Sequence, residues 1–337
     1  MGVIPKKANH SCGELVHQQK SRLRQRKIFM KKTTLTIGIP AYNEEQNIEA
    51  FLRSLFTQKL RTIILEEILV YSDSSTDRTN EIVQKLSKTY PKIKLIQGKT
   101  NKGKYRRVNE MFHRNKSDAL VILDADIALE NDDFLEKLVH KLISDKKALM
   151  VAANVTLIQP ENFFPKIIHA GFVFGDLMRL SVPGYDIAPN FHGAATVYRA
   201  SFTKAVSIPQ NVSDPHLYIY LSAKKLNGFR YCPEANVLQY APETIADVKQ
   251  MMQRSIGKKD SVLESLFGKE MIEQVHFIPR KAKFIAVLKS FQIQPLYTPL
   301  ALLTSFYLGK IVKPDKIDKT PVWKINKSTK KPFVYAK

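Results

Sequence analysis

From Leu35 onward the apolar positions fall into short blocks that switch between two periods. "LTIGIPAY" is a compact run rich in β-branched residues, the pattern of a buried strand. The segment that follows, "NEEQNIEAFLRSLFTQ", sets Ile48, Phe51, Leu52, Leu55 and Phe56 at helical spacing, with Asn43 as N-cap and Glu44 and Glu45 in the first turn. The couplet then repeats. "EEILVYSD" predicts a strand, and Asp77 caps a helix over "RTNEIVQKLSKTY" that Pro91 ends. "KIKLIQG" with residues 102–115 makes a third pair, "ALVILDAD" with 132–143 a fourth, and "ALMVAANVTLI" a fifth strand.

Such alternation predicts an α/β fold, a Rossmann-like, mostly parallel sheet flanked by helices. Ligands of these sheets bind at the carboxyl ends of the strands. Four polar motifs stand there: "PAYNEE", "SDSSTD", "NKGK" and "DAD", one after each of the first four strands. Beyond Gln159 the alternation stops. A helix is expected over 163–179, a strand in "HGAATVYR" from His192, a helix after Asp214, a strand in "FRYCPEANVLQY" and a helix over 245–256. We read this half as a continuation of the same domain, carrying the acceptor side of the site.

Charge changes the picture at the two ends. The net charge is +22, but residues 1–32 hold nine Lys/Arg against one Glu, and residues 279–337 hold thirteen against two Asp. The middle is nearly neutral. Basic ends suggest an acidic partner, either an anionic membrane surface or nucleic acid. Within the tail, 284–312 is the most apolar part, broken by Lys289, Pro295 and Pro299. Its cleanest stretch, 296–309, is too short for a transmembrane helix, which needs about 20 residues. It suits an interfacial helix, which favours membrane over nucleic acid. The first 32 residues lack the apolar core of a signal peptide and read as a disordered basic extension. The two cysteines, Cys12 and Cys232, have no metal-ligand spacing and imply a reduced, cytoplasmic chain without disulfide or zinc site.

"DAD" carries the sharpest chemistry. Carboxylates at i and i+2 on a strand end share one side of the pleat and repel without a counter-ion. A hard divalent cation resolves the conflict, and Mg²⁺ or Mn²⁺ completes its shell with water and phosphate oxygens. The alternative is a pair of exposed turn residues.

The four motifs, in this order and context, resemble the family-2 glycosyltransferases over residues 34–257. The resemblance implies a GT-A fold and a nucleotide-diphosphate sugar, UDP- or GDP-linked, as donor, with Mn²⁺ or Mg²⁺. Residue by residue, Asp126 matches the family's metal-binding acid and Asp124 its neighbour, which contacts ribose or metal. Asp73 matches the acid that hydrogen-bonds the base. Pro40, Ala41, Tyr42 and Glu44 match the motif lining the nucleotide pocket, and Lys104 a lysine near the nucleotide. Every nucleotide-site motif lies before Ile127, so the tail is expected to be dispensable for donor binding.

Inverting transfer also needs a base for the acceptor hydroxyl. Asp214 is the candidate catalytic base. It resembles the family's acid pair before a helix, although Ser213 replaces the usual Glu, and a plain N-cap is the alternative. "QMMQRSIGK" matches the processive members' motif loosely: Gln250 and Arg254 are present, Ser255 stands in place of Trp, and Trp323 lies in the tail. That departure argues for non-processive transfer. His192 is left outside the catalytic set. The expected division is 1–32 extension, 33–278 transferase domain (33–159 nucleotide half, 160–278 acceptor half) and 279–337 membrane-associating tail. The function implied is transfer to a hydroxyl or phosphate acceptor on a glycan or lipid in cell-envelope or glycan biosynthesis, at the cytoplasmic membrane face. Rivals are a nucleotidyltransferase, opposed by the lack of a glycine-rich loop after the first strand, and an inactive nucleotide-sugar-binding protein, opposed by the intact acids.

Overall fold

A computed structural model describes residues 32–255, 260–312 and 329–333. The first half runs β1 (Thr33–Ala41), α1 (Ile48–Phe56), β2 (Ile63–Ser72), α2 (Thr79–Thr89), β3 (Ile93–Gln97), α3 (Lys104–Arg114), β4 (Ala119–Leu123), β5 (Ala128–Leu129), α4 (Phe134–Ser144) and β6 (Met150–Ile158). The second runs α5 (Phe163–Leu180), β7 (Ala195–Arg199), α6 (Ala200–Ala205), α7 (Pro215–Lys225), β8 (Phe229–Tyr240), α8 (Ile245–Ser255), α9 (Ser261–Phe267), α10 (Lys269–Val275), α11 (Arg280–Ile293) and α12 (Tyr297–Ile311).

One eight-stranded sheet runs β3-β2-β1-β4-β7-β6-β8-β5. The strands β3, β2, β1 and β4 are parallel, as the alternation predicts. β7 inserts antiparallel between β4 and β6, so the second half completes the sheet of the first. The period of two decides which core each residue joins. Along β4, Ala119, Val121 and Leu123 face α1, α2 and α4, whereas Leu120 and Ile122 face α3 and α7. Gly38 lets α3 approach β1 closely, because a Cβ there would lie 2.6 Å from Met111 Sδ.

Three expectations are corrected. The first helix starts at Ile48, not behind Asn43. Asn43 takes a left-handed φ of 54°, incompatible with a helix entry, and its loop is bonded sideways to the next one. The "DAD" acids stand in the turn after β4, so the pleat does not set their side. The strand expected from His192 begins at Ala195, because Gly193 turns the chain with φ 71°. Cys232 is free and buried, and burial lifts its thiol to about 11. Cys12 with the rest of residues 1–31, Trp323 and the side chain of Arg254 lie outside the described residues.

The tail helices α11 and α12 pack on α5 with their small residues inward. Ala282, Ala286 and Ser290 of α11 and Thr298 and Ala301 of α12 are buried, while Phe284, Leu288, Leu303 and Phe306 are more than half exposed. This inverts the usual amphipathic arrangement. Among the described residues no helix is long and apolar enough to cross a membrane.

Candidate active site

The carboxyl ends of β1, β2 and β4 open on one crevice, and the loops that line it are joined to one another. The peptide N–H groups of Asn43, Glu44 and Glu45 donate to Ser75 Oγ (3.1 Å), Thr79 Oγ1 (2.8 Å) and Asp77 Oδ2 (3.0 Å). In return, Thr76 N–H donates to Asn43 Oδ1 at 2.8 Å and Arg78 N–H to Glu45 Oε2 at 3.1 Å. "PAYNEE" and "SDSSTD" thus form one hydrogen-bonded surface. Pro40 and Ala41 are buried at its base, and Tyr42 is half-buried at its edge.

Asp73 is wholly buried beneath this surface. Its Oδ1 accepts from Lys102 N–H (3.0 Å) and Arg107 Nε (2.7 Å), and its Oδ2 from Gly103 N–H (2.7 Å). Arg107 is equally enclosed, with a side chain 5% exposed. All these donors come from the "NKGK" loop and the first turn of α3, so Asp73 sets the shape of that loop from inside. Sequence reading passed over Arg107. Its signal is the cation one turn into the helix that follows "NKGK".

Lys104 points the other way, into the crevice. Its Nζ lies 2.6 Å from Asp124 Oδ1 and donates to Gly193 O at 3.0 Å. Both side chains of the pair are 18% exposed. Burial lifts the Asp124 carboxyl to about 6, against the pull of the Lys104 ammonium and with a further push from Asp126. Glu44 joins the same field. Burial, reinforced by the Asp126 charge, lifts its carboxyl to about 8, while Lys330 opposes the rise. Three acids therefore share one small volume with two lysines.

Among the described residues no three His, Cys, Asp or Glu side chains could hold a metal ion by themselves. Mg²⁺ or Mn²⁺ bound with a diphosphate needs only one or two carboxylates from the protein. Asp126, half-buried in its turn beside Asp124, meets that need. Glu44 Oε2, buried without a hydrogen-bond partner, leaves acidic capacity unspent nearby. The residues present fit such an ion.

Across from the acids lies Asp214, the N-cap of α7, whose Oδ1 accepts from Leu217 N–H at 2.9 Å. Tyr105 marks the space between, since the charges of Asp124 and Asp214 both add to the effect of burial in raising its hydroxyl. His216 is a residue that sequence reading missed, although "DPH" places it in the first turn of α7. Its ring stacks flat on Phe191 at 4.0 Å, and burial pushes its pKa down to about 3. A Cβ on Gly193 would sit 3.0 Å from that ring and 3.1 Å from Tyr105 Oη, and with a φ of 71° a side chain there would be strained. His192 is exposed by surface area yet stands close to Arg179 and His216, where enclosure pushes its imidazole down to about 3.

The model of the glycosyl transferase family 2 matches residues 36–206, half of the chain. The chain belongs to glycosyl transferase family 2. It is 30% identical over 129 residues to a dolichyl-phosphate beta-glucosyltransferase of Trichomonas vaginalis, covering 37% of this chain and 38% of that protein. It is 30% identical over 151 residues to the dolichol-phosphate mannosyltransferase of Pyrococcus furiosus, covering 44% and 41% respectively. The chain thus spans about two fifths of the length of these curated relatives. In structure it is similar to a mannosyltransferase of Pyrobaculum calidifontis solved with GDP-mannose and Mn²⁺. The TM-score is 0.51 at 17% identity over 89% of this chain and 83% of that one. That likeness establishes the GT-A fold. Membership also accounts for the order in which the four motifs meet the crevice.

Proposed function

We propose that this chain is an inverting, non-processive glycosyltransferase that moves a sugar from a nucleoside-diphosphate sugar to a hydroxyl or phosphate acceptor. The observation that carries the reading is the convergence of Glu44, Asp124, Asp126 and Lys104 in one crevice opposite a half-buried Asp214. In a single in-line displacement the acceptor oxygen bonds to the anomeric carbon as the bond to the diphosphate oxygen breaks. A hydroxyl acceptor passes its proton to the Asp214 carboxylate, whereas a phosphate acceptor is already an anionic nucleophile, and in either case the nucleoside diphosphate leaves. Lys104 keeps Asp124 ionised and in place beside the leaving group. Asp126, with Asp124, would hold the divalent ion, which supplies charge stabilisation to the departing diphosphate.

Asp126→Asn tests the donor side. It removes one charge while keeping shape. In titrations of UDP and GDP with Mn²⁺ present, the metal-dependent part of binding should disappear and the folded far-UV spectrum should persist. Unchanged affinity would remove Asp126 from the site.

For the acceptor side we propose a lipid-linked phosphate or glycan met at an anionic membrane surface, with the enzyme peripheral to it. The outward Phe284, Leu288, Leu303 and Phe306, together with Phe163 at the start of α5, form an apolar face flanked by Arg280, Lys281, Lys283 and Lys310. The dolichyl-phosphate and dolichol-phosphate transferases among its relatives are in keeping with such an acceptor. The full-length protein should sediment with phosphatidylglycerol-containing vesicles and come off only partly in high salt, since screening weakens the lysines alone. Phe284→Ser with Phe306→Ser should abolish the salt-resistant fraction. Binding to duplex DNA with no binding to vesicles would overturn this face as a membrane contact.

A further inference from the structure

The described residues of the distal tail, 329–333, return to the crevice. Lys330 lies 288 positions beyond Tyr42, yet its Nζ donates to Tyr42 O at 2.8 Å, to Asn43 O at 3.1 Å and to Glu44 Oε1. Its side chain is 15% exposed and that of Glu44 4%. The neighbours of Lys330 hold the far end of β8. Phe333 stacks on Tyr240 with ring centroids 4.8 Å apart, Tyr240 Oη donates to Pro332 O at 3.3 Å, and Lys331 pairs with Glu243 at 2.6 Å. Five residues thus span the crevice from the end of β8 to the loop after β1.

An ammonium has three N–H donors and no acceptor. All three of Lys330 go to one loop, two of them to backbone carbonyls. Nothing is left over for a phosphate oxygen, so the contact serves the loop rather than the donor directly. The loop in question is the one that lines the nucleotide pocket, and Asn43 within it already holds a left-handed φ of 54°. An exposed ion pair would contribute little. This one is buried, and it ties two backbone carbonyls and the Glu44 side chain of one loop to a single ammonium.

We infer that Lys330 is a positioning residue of the donor site. The tail segment 329–333 is the last wall of the nucleotide pocket, and its lysine fixes the Tyr42–Glu44 loop in the shape that receives the nucleotide. The inference rests on the donor reading above. It departs from the expectation that every nucleotide-site motif lies before Ile127 and that the tail is dispensable for donor binding.

The test uses the full chain as Lys330→Met, Lys330→Arg and Lys289→Met. Each is titrated with UDP and with GDP in the presence of Mn²⁺, and amide hydrogen exchange is followed without nucleotide. Lys289→Met removes the same charge from an exposed position on α11, away from the 329–333 segment. Lys330→Met should weaken the nucleotide that the unmodified protein binds by at least about tenfold, the usual cost of losing a supporting contact. Exchange should quicken over residues 43–47 and stay unchanged in the centre of β1. Lys330→Arg should recover part of both losses, and Lys289→Met should show neither. Binding within twofold of the unmodified protein in Lys330→Met overturns the inference, as do equal losses in Lys330→Met and Lys289→Met. If the unmodified protein binds neither nucleotide, the donor reading itself fails and takes the role of Lys330 with it.

Discussion

Asp214→Asn is expected to lower the rate of sugar transfer by about 10²–10⁴-fold, the usual worth of a general base, and to leave donor binding intact. The substitution separates two roles that one carboxylate plays. Asp214 caps α7 through Leu217 N–H, and asparagine caps helices as well as aspartate does. The helix, the adjoining His216 and the fold should therefore persist. What asparagine lacks is a basic site for the acceptor proton. A single-turnover assay with saturating donor reads the difference. Normal transfer in Asp214→Asn would reduce the residue to a cap and send the search for the base elsewhere.

The second large effect is on stability. Arg107→Met should destabilise the protein by about 3–5 kcal/mol, because it strands the Asp73 carboxylate in the interior. The methionine fills much of the same volume, so the loss is mainly electrostatic. Two backbone N–H groups, from Lys102 and Gly103, still reach Asp73 and keep the cost from being higher. Removing both charges, in Arg107→Met with Asp73→Asn, should recover part of the loss, since a neutral amide no longer demands a cation. Urea unfolding monitored by far-UV circular dichroism measures both. A loss below about 1 kcal/mol in the single variant would mark the pair as solvated and expendable.

The layers of the fold were legible because periodicity reports burial, and burial is what a sheet between helices demands. β8 matches its predicted span, Phe229–Tyr240, for that reason. The acids, too, could be found from their place after strands. Other features had no local signal. Asn43 looks like an N-cap by residue type, but its cross-loop hydrogen bonds with Ser75 and Thr76 hold it out of the helix. Arg107 resembles any surface cation on a helix until Asp73 is known to lie beneath it. Lys330 is one lysine among many in a basic tail, and no pattern in the chain links it to a loop 288 residues earlier. Contacts of that kind depend on where the sheet ends, which spacing along a sequence does not encode.

The antiparallel β7 has a consequence for how such proteins diversify. It is bonded to β4 along Ala119–Leu123 on one side and to β6 on the other, and Ala194 O accepts from the peptide N–H of Asp124 itself. Asp124, proposed above as a donor-site acid, is thus hydrogen-bonded to the residue that leads into β7. A chain cut after residue 159 would leave β4 and β6 with facing open edges and Asp124 without that anchor. The second half of this sheet cannot then be exchanged as a cassette by joining at that point. A viable chimera must carry β7 with β4.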